Sequence, residues 1–148
     1  MPTVAQAIAA TLHAAGVRYV FGLPGGETVE LLDALRRQGL EFVLVHNESS
    51  ALLLTGTVGV CLTTLGPGAA NAMAGVAHAH LDRVPLLVFT AQKPDALLPD
   101  YTHQVLDLHA LFAPITKASI KLNATCASSG VAEALRLAQE GRPGPVHL

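Results

Sequence analysis

Apolar and polar residues alternate along the chain with two spacings, one helical and one typical of strands. Residues 4–15 are rich in alanine and leucine, and Thr3, Gln6 and Gly16 stand where a capping box and a C′ glycine belong. Residues 27–38 place their apolar side chains near one helical face, begin with acids and end with arginines before Gly39. Both segments are therefore predicted to be helices.

Short, unbroken apolar runs predict strands at residues 17–21, 42–45, 58–63 and 85–90. Such runs are typical of strands that are buried on both faces of a parallel sheet. The remaining pattern predicts a small-residue helix at 69–81 after Gly66-Pro67-Gly68, a helical turn near 108–112, a strand at 116–122, a helix at 124–140 and the start of a strand at 146–148. This order predicts an α/β fold with a doubly wound parallel sheet and helices on both faces.

Composition agrees with a single domain that spans residues 1–148. With 51% hydrophobic and 14% charged residues, the chain can bury one sizeable core. The net charge of −2, without any run of lysine or arginine, supplies no electrostatic footprint for nucleic acid or an anionic membrane surface. No apolar stretch approaches the ~20 residues of a membrane-spanning helix, and the N-terminus lacks the basic region of a signal peptide, so we expect a cytoplasmic protein.

The cysteines and histidines form no metal-binding pattern in the sequence. Cys61 and Cys126 are far apart, and neither belongs to a CxxC pair. His78 and His80 are two residues apart on a predicted helix, so their side chains should point in different directions. We therefore predict neither a disulfide framework nor a metal site within this chain.

The connection between the second and third predicted strands is unusually short. If residues 42–45 and 58–63 are parallel neighbours, a crossover has to fit between His46 and Thr57. A helical crossover normally takes about a dozen residues or more, loops included, and Thr55-Gly56 is expected to be loop. The sequence thus indicates that residues are missing around 52–56, either through a deletion or because a segment is not included in the chain.

Three stretches are expected at the carboxyl edge of the sheet, where open α/β folds bind ligands. They are residues 22–26, 46–50 and 65–71. Glu48 directly follows an apolar strand and precedes Ala51-Leu52-Leu53, so its carboxylate could lie at a buried rim that shifts its pKa. The alternative is an ordinary acid in the first turn of a helix, where the helix dipole favours it.

Two further stretches have more than one interpretation. Gly66-Pro67-Gly68 can cradle an anion at a helix N-terminus or simply make the tight turn from strand to helix. Gln104 lies in a polar loop with Tyr101, His103 and Asp107, where it faces either a ligand or solvent. No GxSxG, GxGxxG or GxxxxGK[ST] motif is present, so hydrolase and nucleotide-binding mechanisms have no positive support.

Several motifs, in order along nearly the whole chain, resemble those of the acetolactate synthase-like family of thiamine-diphosphate enzymes, in particular its N-terminal pyrimidine-binding (PYR) domain. Each motif is modest alone, and their common order makes the likeness specific. They are residues 20–26 (VFGLPGG), 46–51 (HNESSA), 63–71 (TTLGPGAAN), 82–85 (DRVP), 90–92 (TAQ), 115–117 (ITK) and 141–145 (GRPGP).

The resemblance implies a flavodoxin-like domain with about six parallel strands, in a homodimer or homotetramer. Its cofactor, thiamine diphosphate, is expected in a cleft shared with the diphosphate-binding domain of a partner subunit, and its substrate is expected to be a small 2-oxo acid. Glu48 matches the family's glutamate, whose carboxylate hydrogen-bonds N1′ of the aminopyrimidine. This bond favours the imino tautomer, whose exocyclic nitrogen removes the proton from C2 of the thiazolium.

The resemblance also implies roles for other residues. Gly25 and Gly26 match a close-approach loop near the active centre, while Gly68 and Asn71 match positions beside the pyrimidine and the subunit contact. Gln104 matches a glutamine beside the substrate. These residues and Glu48 are the candidate cofactor-binding and catalytic residues.

Some features of the family lie outside this chain or have no assigned role. Lys117 matches a landmark lysine to which the sequence assigns no function. The Gly-Asp-Gly to Asn motif that holds Mg²⁺ and the diphosphate is absent from the sequence, so Mg²⁺ is expected in a domain that the chain lacks. FAD binding elsewhere in the full enzyme stays open.

The chain departs from the family in two places, and two other functions stay open. A longer helix with a Met-Ala-Asp-Gly-Tyr-Ala-like stretch is absent at the short connection. The usual Phe-Gln-Glu stretch reads His103-Gln104-Val105, which favours the broader family over acetolactate synthase proper. The alternatives are a non-catalytic dimerisation module of the same fold and a flavodoxin-like nucleotide-binding protein.

Overall fold

The computed structural model describes residues 2–45, 58–100 and 102–148. Its helices are α1 (Val4–Ala14), α2 (Val29–Arg37), α3 (Gly66–Leu81), α4 (Leu108–Phe112) and α5 (Ala127–Gln139). Its strands are β1 (Tyr19–Gly22), β2 (Glu41–Leu44), β3 (Gly59–Thr63), β4 (Leu86–Thr90) and β5 (Pro145–His147). Short 3₁₀ turns span Gly26–Thr28, Asp95–Leu97 and Ala113–Ile115.

The strands form one parallel sheet in the order β2-β1-β3-β4-β5. Phe21 of β1, for example, lies opposite Val43 of β2 and Cys61 of β3. The chain runs outward from β1 to β2 in one direction and from β3 to β5 in the other. The predicted doubly wound α/β sheet is therefore confirmed, and its topological switch point lies between β1 and β3.

The sheet has five strands among the described residues, fewer than the six that were expected. The predicted strand at 116–122 is wrong as a strand, because this segment forms a single parallel bridge, from Ser119 to His147. The amide of Ile120 donates to the carbonyl of His147 at 2.9 Å, and that of His147 donates to Ala118 at 2.9 Å. The amide of Lys117 also donates to the carbonyl of Pro145 at 2.7 Å, so the segment runs beside β5 without forming a regular strand.

Side chains on the two faces of the sheet form two separate cores, because successive residues of a strand point to opposite faces. One core packs α1, α2 and α5 on the sheet, and the other packs α3 and α4. The buried alanines of α3 allow this helix to pack closely on the sheet. The larger members of the first core include Ile8, Leu12, Val20, Leu35, Val60, Leu87, Val131 and Val146. The second contains Phe21, Cys61, Ala69, Ala72, Val76, Leu86, Val88, Leu108 and Phe112.

Local capping signals predicted some helix ends well. The capping box of Thr3 and Gln6 is formed, with bonds of 2.9 and 3.2 Å, and Gly16 and Gly39 have φ angles of 79° and 80°. These left-handed angles explain why glycine follows α1 and α2.

Other helix starts differ from the predictions. Helix α3 begins at Gly66 rather than at residue 69, because Pro67 lies in the first turn, where its missing N–H costs nothing. Helix α5 begins at Ala127 rather than at 124, since the side chain of Asn123 accepts the amides of Thr125 and Cys126 and forms a turn there. The predicted helix at 27–38 starts as the 3₁₀ turn Gly26–Thr28.

The short connection joins two strands that are not neighbours in the sheet. Strands β2 and β3 are parallel but are not adjacent, because β1 lies between them. Residues 46–57, and with them Glu48 and the expected gap at 52–56, lie outside the described residues. Within the described part of the chain, no helix is both long and apolar enough to cross a membrane.

Candidate functional site

The carboxyl ends of β1 and β3 lie side by side and bring two of the predicted stretches together. Gly22 is paired with Leu62, and a Cβ on Gly22 would lie 2.0 Å from the Leu62 carbonyl oxygen. Beyond the strands, a Cβ on Gly25 would lie 2.4 Å from Cγ2 of Thr64. The loop after β1 therefore packs directly against the chain that enters α3, as predicted for the carboxyl edge of the sheet.

A buried threonine fixes the conformation of the loop at Gly25. The amide of Gly25 donates to Oγ1 of Thr28 at 3.0 Å, and the Thr28 hydroxyl donates to the Gly25 carbonyl at 2.9 Å. Thr28 is only 2% exposed, so these bonds are protected from water. Sequence reasoning did not single out Thr28.

The start of α3 carries the loop that contains Gln104. The amide of Gly66 donates to the carbonyl of Gln104 at 3.0 Å, and a Cβ on Gly66 would lie 2.5 Å from the same oxygen. Gln104 has a φ angle of 60°, in the left-handed region that side chains other than glycine rarely occupy. The absence of a side chain at Gly66 thus allows the loop to dock on the helix.

The other predicted residues lie nearby in the fold, with different exposures. Gly26 is exposed, and a Cβ there would meet nothing within 4 Å. Gly68 and Asn71 lie in the first two turns of α3, where Gly68 is half-buried and Asn71 is exposed. Glu48 lies outside the described residues, so the structure does not test its placement.

The loop after β4 joins these parts through two side chains. Nε2 of Gln92 donates to the carbonyl of Leu106 at 2.9 Å, and Nζ of Lys93 lies 3.5 Å from Oε1 of Glu27. One contact reaches the loop with Gln104, and the other reaches the turn beside Gly26. The sequence had marked Gln92 only as a motif residue, because its partner is fourteen residues away.

A cavity of about 800 Å³ lies next to the switch point, behind these loops. Its wall is largely apolar and includes Ile8, Leu31, Leu62 and Phe89, while Glu27 and Val105 belong to the loops just described. None of the predicted site residues that the structure describes lines it, although Glu27 and Val105 are neighbours of Gly26 and Gln104. The cavity therefore adjoins the candidate site without coinciding with it.

A chain of hydrogen bonds at one end of the cavity surrounds a buried histidine. Nε2 of His147 lies 2.8 Å from Oγ1 of Thr90, and its Nδ1 lies 2.6 Å from Oγ of Ser119, which also lies 2.5 Å from Nδ1 of His109. Phe112 stacks on the His147 ring with a centroid separation of 4.6 Å. Burial, with a smaller effect from the nearby His109, lowers the pKa of His147 to about 4. His147 is therefore neutral at pH 7, and its two hydroxyl partners can serve either tautomer.

Lys117 has a structural position at the end of α5. Its ammonium donates to the carbonyls of Leu137 and Glu140, the latter at 2.6 Å, and its methylenes lie where a Cβ on Gly144 would touch them. These carbonyls belong to the helix end, which lacks intrahelical donors and attracts positive charge. Lys117 thus caps α5.

Chemically, the described side of the site is suited to holding and orienting a ligand. It offers the open main chain of Gly26, the exposed side chain of Gln104 and the Glu27–Lys93 ion pair. Within the described ranges, no group of three or more histidine, cysteine, aspartate or glutamate residues could hold a metal ion.

The family model and the similar proteins found by sequence comparison agree with each other. The sequence model described as "Thiamine pyrophosphate enzyme, N-terminal TPP binding domain" matches residues 2–111. Similar proteins include the probable acetolactate synthase large subunit of Methanococcus aeolicus, 38% identical over 97% of this chain and 25% of the relative. The acetolactate synthase large subunit of Lactococcus lactis is 40% identical over 97% of the chain and 26% of the relative. The isozyme 3 large subunit of Escherichia coli is 38% identical over 96% and 26%, respectively.

The matches extend through almost the whole chain but cover only part of each relative. The chain spans about a quarter of the length of the curated relatives it matches. The span of residues 2–111 that the family model matches includes the two glycine loops that meet at the switch point of the sheet. The chain therefore belongs to the thiamine pyrophosphate enzyme family, as one of its N-terminal TPP-binding domains.

Proposed function

We propose that the chain serves as the N-terminal domain of a thiamine-diphosphate-dependent 2-oxo acid decarboxylase or carboligase of acetolactate synthase type. The observation that carries this proposal is the similarity to acetolactate synthase large subunits over 96–97% of the chain. The aligned part of the chain includes the three stretches that were predicted at the carboxyl edge of the sheet. The complete activity is proposed to need the other domains that make up the rest of the relatives' sequences.

Glu48 is the proposed catalytic residue of this domain. It directly follows Val45, His46 and Asn47 after β2, which places it in sequence just past the carboxyl end of that strand. Its carboxylate is proposed to accept a hydrogen bond from N1′ of the cofactor's aminopyrimidine and so to orient the ring and move its proton. When bound, thiamine diphosphate supplies the carbon nucleophile and electron sink for decarboxylation.

The described residues fit the pyrimidine half of such a cofactor. At the switch point, the missing side chains of Gly25 and Gly66 allow the neighbouring loops to pack together, because a Cβ on either would collide with Thr64 or with the carbonyl of Gln104. Gly26 is exposed, and a Cβ there would meet nothing within 4 Å, so a planar ring can approach its main chain closely. Gly25, Gly26, Gly68 and Asn71 are proposed to line the ring, and Gln104 is proposed to face the substrate.

The remaining components of the enzyme are proposed to come from outside this chain. Mg²⁺ and the diphosphate are held by a second domain of a partner subunit, since the sequence lacks their motif. A homodimer or homotetramer is the simplest assembly that brings the two domains together. FAD, where the full enzyme uses it, is assigned to the part beyond this domain.

The domain is also proposed to lack residues near 52–56. The segment 46–57 is shorter than α3 alone, which has 16 residues, yet it has to return from the carboxyl edge to the amino edge of the sheet and pass β1. In support, the alignment with the M. aeolicus protein extends over 152 residues, more than the 148 of the entire chain. The relative therefore contains residues without a counterpart here.

A domain replacement tests the proposal. Residues 1–148 replace the corresponding first quarter of the L. lactis acetolactate synthase large subunit, and acetolactate formation is measured with thiamine diphosphate and Mg²⁺. We expect the hybrid to form acetolactate, and Glu48→Gln to slow it by more than about a hundredfold, as expected for loss of a proton-transferring group. Glu30→Gln, an exposed acid in α2, is the matched control and should leave activity unchanged.

A second hybrid separates the domain's function from its short connection. In it, residues 46–57 are replaced by the corresponding segment of the L. lactis enzyme. Activity only in this second hybrid would locate the defect in the missing residues. Self-association without activity in both hybrids would contradict the proposal and favour the dimerisation module.

A further inference from the structure

The loop after β4 holds a side-chain amide that bridges two parts of the main chain. Oε1 of Gln92 accepts the amide of Lys93 at 3.0 Å, while Nε2 donates to the carbonyl of Leu106 at 2.9 Å. One end of the amide needs an acceptor and the other a donor, so both partners fix the same orientation. Among side chains of this length, only glutamine supplies both groups.

The carbonyl that Gln92 holds lies two residues beyond Gln104. The side chain of Leu106 also packs beside the start of α3, since its Cγ lies 3.0 Å from the position of a Cβ on Gly66. Residues 104–106 are thus held at two points, by the Gly66 amide at one end and by the Gln92 amide at the other.

These two attachments lie around a residue with an unfavourable backbone conformation. The φ angle of Gln104 is 60°, and such a conformation persists only where the surroundings impose it. Strained residues of this kind are concentrated at functional sites. The attachment by Gln92 therefore acts against the tendency of the loop to relax.

We infer that Gln92 is a positioning residue for Gln104, holding the loop so that the Gln104 side chain stays at the switch point. This inference rests on the proposed function for the part that Gln104 has at the substrate. The contact itself stands on the geometry alone. The adjacent Lys93 extends the arrangement, because its ion pair with Glu27 ties the same loop to the turn beside Gly26.

Hydrogen exchange at one amide tests the structural step directly. The Gly66 amide lies in the first turn of α3, where it has no partner within the helix, so its protection depends on the carbonyl of Gln104. We expect Gln92→Glu and Gln92→Met to increase its exchange rate in the 148-residue chain by about fivefold to tenfold, corresponding to one hydrogen bond. The amide of Leu87 in β4 should exchange at an unchanged rate, which separates local loosening from global unfolding.

Gln38→Glu provides the matched control. Gln38 is an exposed glutamine at the end of α2, so the same change there alters charge without touching the loop. In the Gln38→Glu variant, the Gly66 amide should exchange at the same rate as in the unchanged chain. Equal Gly66 exchange in the unchanged chain, Gln92→Glu and Gln92→Met would overturn the inference while leaving the proposed function intact.

The hybrid enzyme with the L. lactis remainder tests the functional step. Gln92→Met should raise KM for the 2-oxo acid by about tenfold with a smaller change in kcat, because a displaced Gln104 binds substrate less well. The affinity for thiamine diphosphate should stay unchanged, whereas a general loss of domain stability would lower it as well. Faster Gly66 exchange with an unchanged KM would overturn the positioning role, whereas an inactive unsubstituted hybrid would count against the proposed function itself.

Discussion

Ser119 and His147 are joined through a hydrogen bond of 2.6 Å, and their main chains form a parallel bridge beside it. The pair links the segment that follows α4 to the last residue of β5. Since His147 is 2% exposed and stacks on Phe112, its ring is a permanent part of the core rather than a surface group.

Acid should destabilise the domain through His147. Burial lowers its pKa in the folded state to about 4, against 6.5 when unfolded, so the unfolded chain binds more protons between these values. Stability from this group is complete above pH 6.5 and is lost as pH falls toward 4, by about 3 kcal/mol in total. Urea unfolding at pH 7.5 and pH 4.5 measures the loss.

The variant His147→Gln is the control for this effect. It keeps a donor and an acceptor near Ser119 and Thr90 but cannot titrate. Its stability at pH 7.5 should be lower because the stack with Phe112 is lost, and its decline toward pH 4.5 should be shallower. An equally steep decline in the variant would assign the acid sensitivity to other groups.

Lys117→Met should destabilise the domain through the end of α5. The substitution keeps the methylene stem but removes the donor to the carbonyls of Leu137 and Glu140, which should lower the free energy of unfolding by about 1–2 kcal/mol. Thermal unfolding measures this change. Lys121→Met is the matched control, since the exposed ion pair of Lys121 with Asp95 should contribute less than about 0.5 kcal/mol. Equal effects of the two variants would contradict the capping role.

Gly25→Ala should reveal the close approach at the switch point. Gly25 has a φ angle of −144°, which alanine adopts without strain, so the cost arises from the new Cβ at 2.4 Å from Cγ2 of Thr64. We expect a loss of about 1–3 kcal/mol in stability, as for overpacking. Gly26→Ala should be nearly neutral, because a Cβ there meets nothing within 4 Å.

Thr64→Ser tests the assigned cause, since serine lacks the methyl group that would collide. In a double-mutant cycle, the cost of Gly25→Ala should fall by at least about 1 kcal/mol when Thr64→Ser is present. Unchanged cost in the serine background would mean that the loop, and not this contact, sets the penalty.

Gln104→Asn should separate stability from function. Asparagine tolerates the left-handed conformation better than glutamine, so thermal stability should stay equal or rise by up to about 1 kcal/mol. Activity of the hybrid enzyme should fall, because the shorter side chain withdraws its amide. Arg83→Asn relieves the other non-glycine residue with a left-handed conformation among the described residues, at φ 59°, and should leave activity unchanged. A parallel loss of activity in both variants would argue against a specific role for Gln104.

Features set by nearby residues were predictable from the sequence. The ends of α1 follow from Thr3, Gln6 and Gly16, whose partners lie within a few positions. The meeting of the glycine loops also followed, because the carboxyl ends of parallel strands share one edge of the sheet. The apolar pattern at 116–122, however, predicted a strand that only one bridge supports, since strand formation depends on the neighbour that is available.

Individual side-chain contacts between distant residues were not predictable. The hydrogen bonds of Ser119 join residues 28 and 10 positions away, and no spacing in the sequence indicates such a cluster. The donor contacts of Lys117 span 20 and 23 residues for the same reason. Such contacts depend on strand order, which places β5 beside β4 and brings Thr90 to His147. The sequence pattern fixes the elements more firmly than their order.

The sheet divides the interior so that consecutive residues of one strand belong to different cores. Leu87 packs with α1 and α5, whereas Val88 packs with α3 and α4. A change in one core reaches the other only through main-chain displacement, so paired substitutions across the sheet should add independently. Substitutions can therefore accumulate in the core formed with α1, α2 and α5 while the core formed with α3 and α4 keeps its packing. The two cores can thus evolve independently of each other.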